Sequence, residues 1–187
     1  SNQGSLYDSK IIDIDDDNFL DLDKVPSNSI GIIVTHIFGN ICDITKYEKW
    51  CKENNKFLIF DNAATPYTFY NNKNSLNYGN GSIISFHHTK ALGFGEGGAI
   101  IVDKKYEKII RDLINFKTGF THDVNGNNFK MSDNSAAFII EHLSNMDDMI
   151  KYNQTLYQYF LSEIKNIKHI KLFNKYYDDN NIFISLI

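Results

Sequence analysis

Apolar residues in this chain come in short runs, and run length separates strands from helices. Lys10-Ile11-Ile12-Asp13-Ile14-Asp15 reads as a short strand ending in an acidic turn. Ser29 to His36 holds Ile30, Ile32, Ile33 and Val34 in a near-continuous run, which predicts a strand covered on both faces. Phe57-Leu58-Ile59-Phe60 predicts a second buried strand, stopped abruptly by Asp61-Asn62, and Gly81 to Phe86 and Ala99 to Val102 predict two more. Helical spacing covers Ile44 to Asn54, where Tyr47, Trp50 and Cys51 share a face. It returns in Lys104 to Phe116, with Ile109, Ile110, Leu113 and Ile114 at core spacing. Ser132 and Asp133 are candidate caps for a helix carrying Ala136, Ala137, Ile140 and Leu143. A last helical pattern runs from Asp147 to Ile167, and Ile170 and Ile182 to Ile187 suggest strands.

Strands alternating with helices, without hairpin signals, predict an α/β domain around a mostly parallel sheet. Ligands of such sheets gather at the carboxyl ends of the strands. That rule gives chemical interest to Asp61, which follows one strand, and to Ser85 through Lys90, which follow another.

Composition narrows the function. With 187 residues the chain can build one sizeable core. Nineteen basic residues against 23 acidic ones leave a net charge of −4, and the lysines are scattered, which argues against a nucleic-acid binder. No apolar run reaches bilayer length and Ser1 to Ser5 contains no signal segment, so the expected setting is cytoplasmic. Cys42 and Cys51 are spaced like neither a disulfide framework nor a zinc site. His122, His142 and His169 show no ligand spacing, so no metal site is expected. The Asn-rich stretches at 71–74 and 125–128 read as loops.

The densest signal is Ser85-Phe86-His87-His88-Thr89-Lys90-Ala91-Leu92-Gly93-Phe94-Gly95-Glu96-Gly97-Gly98. A free amine with the ordinary pKa near ~10.4 is a poor nucleophile at neutral pH. It becomes useful when desolvated, or when stored as an imine with a carbonyl cofactor. The glycines precede a strand and do not link a strand to a helix, so they are not a dinucleotide fingerprint. They fit a tight turn with positive φ that lets the next strand re-enter the sheet. Asp61, a carboxylate at a strand end, is costly to bury without a cationic partner, and a pyridinium nitrogen is one such partner. A loop-ordering cap is the plainer alternative. His36 and His87 either line a pocket or are satisfied structural histidines.

Four segments then occur in an informative order: Thr35-His36-Ile37-Phe38-Gly39-Asn40, Phe60-Asp61-Asn62-Ala63-Ala64, Ser85 to Lys90, and Gly95-Glu96-Gly97-Gly98-Ala99. With Gly126-Asn127-Asn128-Phe129-Lys130-Met131-Ser132-Asp133 and Ala136-Ala137, they resemble the DegT/StrS family of pyridoxal-phosphate (PLP) dependent nucleotide-sugar aminotransferases, over about Lys10 to Ile167. The resemblance implies the aspartate-aminotransferase (type I) fold, a three-layer α/β domain. It implies that Lys90 is the Schiff-base lysine, that Asp61 pairs with the pyridine nitrogen and that Ala63 lies against the ring. Ser85 would donate to the cofactor phosphate. Asn128 would reach the phosphate of a neighbouring subunit, which makes the expected assembly a homodimer. Relatives with histidine at the lysine position are dehydratases, so Lys90 indicates transamination, with glutamate the usual donor and a nucleotide-linked keto sugar the acceptor.

Two departures stand out. Ala64 occupies a position where many members carry glutamine or histidine against the cofactor's phenolic oxygen, and Ser135 replaces a glutamine. Family members are roughly twice as long as this chain, close to the length of a two-domain enzyme. The expected organisation is therefore a large domain incomplete at both ends: 1–167 the PLP-binding large domain lacking its N-terminal part, and 168–187 the start of a small C-terminal domain. The upstream loop and helix start that hold the phosphate have no candidate here. A truncated, non-catalytic homologue serving as a binding or assembly module is the alternative.

Overall fold

A computed structural model describes residues 9–93, 95–115 and 126–169. The first strand, β1 (Gly31–Thr35), leads into α1 (Ile44–Glu53). Asp43 caps α1 by accepting from the Lys46 N–H at 3.2 Å, and Ile44, Tyr47 and Cys51 form its buried face. Next come β2 (Phe57–Asp61), a short antiparallel pair β3 (Phe69–Tyr70) and β4 (Lys73–Asn74), and β5 (Gly81–Ser85). The chain then forms β6 (Gly98–Val102), α2 (Glu107–Ile114), α3 (Asp133–Ser144) and α4 (Met146–Ile164). Ser132 caps α3 as expected, its Oγ accepting from the Ser135 N–H at 3.1 Å.

The main sheet has the order β1-β2-β5-β6. The first three strands are parallel and β6 runs antiparallel to β5. The expected mixed, mostly parallel sheet is present. Its antiparallel member was not legible, because a twelve-residue loop replaces the tight turn that announces a hairpin.

Two cores hold the frame. Ile32 and Val34 of β1 and Leu58 and Phe60 of β2 pack with Ile44, Tyr47 and Cys51 of α1 and with Phe19 and Leu22. The Tyr47 hydroxyl donates to the Leu20 carbonyl at 2.6 Å and ties the leading segment to this core. Phe86 and Leu92 pack with Ile139 of α3 and Met146 of α4 in the second cluster. Burial of each such side chain contributes about 1.5–3 kcal/mol. Because Phe86 and Leu92 bracket Lys90, the second core pins both ends of the lysine turn.

Several expectations are corrected. Lys10 to Asp15 forms no ladder: only an isolated bridge joins Ile14 to Leu20, and Ile11 is 98% exposed. β1 and β2 are covered on one face only. Ile33 is 63% exposed and Phe57 52%, while Val34 and Phe60 on the opposite face are fully buried. In α2 no residue is fully buried and Ile109 is exposed. In α3 the buried residue is Ile139, whereas Ala137, Ile140 and Leu143 are exposed. Phe116, His122, Phe94, Ile170 and Ile182 to Ile187 lie outside the described residues, as does nearly all of the segment expected to open a second domain. No helix among the described residues is long and apolar enough to cross a membrane.

Candidate active site

The three parallel strands end together. Thr35 pairs in register with Asp61, and Asp61 with Ile83, so Ser85 extends one side-chain repeat beyond Asp61. Alternation along a strand puts Ile83 and Ser85 on one face of β5, and the register places that face with Asp61. It is the face opposite the Leu58–Phe60 core, the one that carries exposed Ile33, Phe57 and Ile83.

Asp61 is half-buried, and its Oδ1 accepts from the Ala63 N–H at 3.0 Å. That bond turns the chain sharply and holds the carboxylate at the strand end. Ala63 and Ala64, the next residues of interest, are also half-buried. The turn rests on Asn62, which is fully buried. Its Oδ1 accepts from Thr65 Oγ1 at 2.9 Å and Ser75 Oγ at 3.1 Å, and its Nδ2 donates to Ser82 Oγ at 3.2 Å. His36 Nδ1 lies 2.8 Å from the same Asn62 oxygen, and its Nε2 lies 3.3 Å from Cys42 Sγ. The His36 ring stacks on Phe60 at 4.9 Å. Burial lowers its pKa to about 4, against a smaller opposing effect of the Asn62 bond. His36 is therefore a neutral structural histidine and not a pocket residue, which decides between the two readings left open by the sequence.

Ser85 Oγ accepts from the His87 N–H at 3.2 Å, which leaves its own hydroxyl hydrogen to donate elsewhere. The chain then winds through a turn closed by Lys90 N–H to His87 O and by Gly93 N–H to Lys90 O, both at 2.8 Å. A Cβ on Gly93 would run into the His87 carbonyl oxygen and come within 2.7 Å of the Lys90 carbonyl oxygen. Only glycine fits this close approach. Gly95 and Gly97 adopt φ of +93° and +139°, as the expected tight turn requires, and β6 then re-enters the sheet. Lys90 is half-buried on this turn, five residues after Ser85 ends β5.

Asn128 is placed differently. It forms an isolated bridge with Asn115 at the end of α2, between bonds from Asn127 N–H to Leu113 O and from Phe129 N–H to Ile114 O. It is exposed and anchored to α2, not to β2 or β5. A cavity of about 1020 Å³ is also elsewhere: it lies between β6 and α2 and is lined by Ile100, Val102, Ile110, Ile114 and Phe129. Lys104, Glu107 and Arg111 also line it, and neither Asp61 nor Lys90 does.

A carboxylate and a hydroxyl on one face at the strand ends, with a primary amine on the turn that follows, match in kind the polar groups of a phosphorylated pyridine aldehyde: ring nitrogen, phosphate and carbonyl carbon. The donor set fits such a cofactor. One cluster escaped the sequence reading. His87, His88 and Glu96 each offer a ligand atom, all within 4.8 Å of one another. Spacing did not reveal it, because the pairing of β5 with β6 brings together residues eight or nine positions apart.

The DegT/DnrJ/EryC1/StrS aminotransferase family model matches residues 8–185. The chain is 28% identical over 150 residues to the GDP-perosamine synthase of Vibrio cholerae, covering 77% of this chain and 41% of that protein. It is 32% identical over 148 residues to the dTDP-4-amino-4,6-dideoxy-D-glucose transaminase of Shigella dysenteriae, covering 76% and 40%. Among solved structures, DesI in the presence of its TDP-sugar product superimposes with a TM-score of 0.79 at 25% identity, over 92% of this chain and 45% of that one. The chain thus spans about two fifths of the length of the curated relatives it matches.

Proposed function

The chain belongs to the DegT/DnrJ/EryC1/StrS aminotransferase family, and from that premise we propose that it is the cofactor-holding part of a PLP-dependent aminotransferase acting on a nucleotide-linked keto sugar. The observation that carries this reading is the edge at which β2 and β5 end: Asp61 and Ser85 share one face of the sheet, and the Lys90 turn begins there.

Bound PLP would supply an electron sink for the carbon that loses its proton. Asp61, held by the Ala63 N–H, would keep the ring nitrogen protonated, and Ala63 would flank the ring. Ser85 would donate its free hydroxyl hydrogen to the phosphate. Lys90 would hold the cofactor covalently and then, displaced by the amino donor, move a proton at the substrate carbon. Backbone bonds to His87 and from Gly93 fix the turn that carries Lys90. Asn128, exposed beside α2, would complete the site of a second subunit, so the working form is a homodimer, placed in the cytoplasm. Residues 1–167 act as the large domain of that enzyme, with a second unit starting near 168. Glutamate is the proposed donor.

The test is a product screen with PLP, glutamate and nucleotide-linked keto sugars, read by mass spectrometry. Joint appearance of an amino sugar and 2-oxoglutarate supports the proposal. Absence of both products would contradict it and leave a non-catalytic binding or assembly module as the reading.

A further inference from the structure

His87 and His88 follow β5 and Glu96 precedes β6, with backbone bonds from Phe86 N–H to Gly97 O and from His88 N–H to Gly95 O, both 2.9 Å, holding the two arms of the loop together. His87 Nε2 lies 3.6 Å from Glu96 Oε1. The two imidazole rings have centroids 4.1 Å apart and are tilted by 44°. We propose that His87, His88 and Glu96 form a binding site for a divalent first-row transition metal such as zinc.

The geometry is near what such an ion needs. Bonds of about 2.0–2.1 Å in a tetrahedral arrangement put ligand atoms about 3.4 Å apart. The His87–Glu96 distance is already 3.6 Å, and the widest separation in the trio is at most 4.8 Å. His88 and Glu96 are exposed, so small side-chain rotations close the difference without moving the backbone. His87 is also oriented for the task. Its Nδ1 lies 2.9 Å from Thr89 Oγ1. The Thr89 N–H approaches the same nitrogen at the longer distance of 3.4 Å; in the tautomer whose Nδ1–H donates to the closer hydroxyl, the Nε2 lone pair faces Glu96. A hydrogen bond on the far ring nitrogen is the usual support of a metal-ligating histidine.

Two imidazoles and one carboxylate favour zinc, nickel or copper over magnesium or calcium, which prefer all-oxygen shells. Water would fill the remaining position. As a plain surface ion pair, His87–Glu96 would contribute almost nothing, since the two side chains are 38% and 83% exposed. The ion would join His88 to Glu96 around a ring of residues that contains Lys90. The site stands on this chain's own residues and does not depend on the aminotransferase reading.

Isothermal titration of the full chain with zinc chloride at pH 7.5 tests it, with magnesium chloride as the control. The expected result is one zinc equivalent bound in the micromolar range and no heat with magnesium. Glu96→Gln and His88→Asn should each weaken binding by about tenfold or more, with unchanged circular dichroism. Lys90→Ala should bind like the parent. No zinc binding below millimolar concentration, or equal binding by the parent and both ligand variants, would overturn the proposal.

Discussion

Asn62 Oδ1 lies 2.8 Å from His36 Nδ1, joining the residue after β1 to the residue after β2 in a fully buried pair. The same amide meets Thr65, Ser75 and Ser82. The turn immediately after Asp61 therefore depends on one side chain that has no contact with solvent. Replacing it with a shape-matched apolar residue would strand several buried polar groups, each costing about 1–3 kcal/mol. Asn62→Leu should lower stability by about 3 kcal/mol or more, read as a shift in the urea midpoint. A midpoint within error of the parent would show that the network does not hold the turn.

His36 gives the fold a pH dependence of predictable sign. Its pKa is lowered from 6.5 to about 4 by burial. Between those values the unfolded chain binds a proton that the folded chain does not, so stability falls with falling pH. The contribution is fully present above pH 6.5 and is lost progressively as pH drops toward about 4. His36→Asn should flatten the slope of unfolding free energy across that window. An unchanged slope would assign the acid sensitivity to other groups.

Gly93 makes the lysine turn possible. A Cβ there would collide with the carbonyl oxygens of His87 and Lys90. Gly93→Ala should leave far-ultraviolet circular dichroism intact while exposing the 87–93 amides to faster hydrogen exchange, at a cost of about 1–3 kcal/mol. Parent-like protection at those amides would contradict the close approach.

The strand end and the turn that carry the candidate residues were legible in the sequence. An acidic residue closing an apolar run marked Asp61 as the end of a strand, and a lysine between a strand and a glycine-rich turn marked Lys90. Exposure was the part that could not be read. Near-continuous apolar runs report that both faces of a strand favour cover, yet Ile33 and Phe57 are open here. Ile140 and Leu143 fit a helical period, but Ile139 is the α3 residue that meets the second core. His36 could not be assigned from spacing, since its partners Asn62 and Cys42 lie 26 and 6 residues away. The His87–His88–Glu96 cluster was hidden likewise, because it exists only once β6 folds back along β5.

In the proposed enzyme the Lys90 amine would hold the cofactor beyond the edge where β2 and β5 end. Incubation of the full chain with PLP, reduction with borohydride and peptide mass mapping tests it most directly. One reduced adduct is expected on the peptide containing Lys90, lost in Lys90→Ala and weakened in Asp61→Asn and Ser85→Ala. Adducts spread over the surface lysines, or an equal yield from Lys90→Ala, would contradict it.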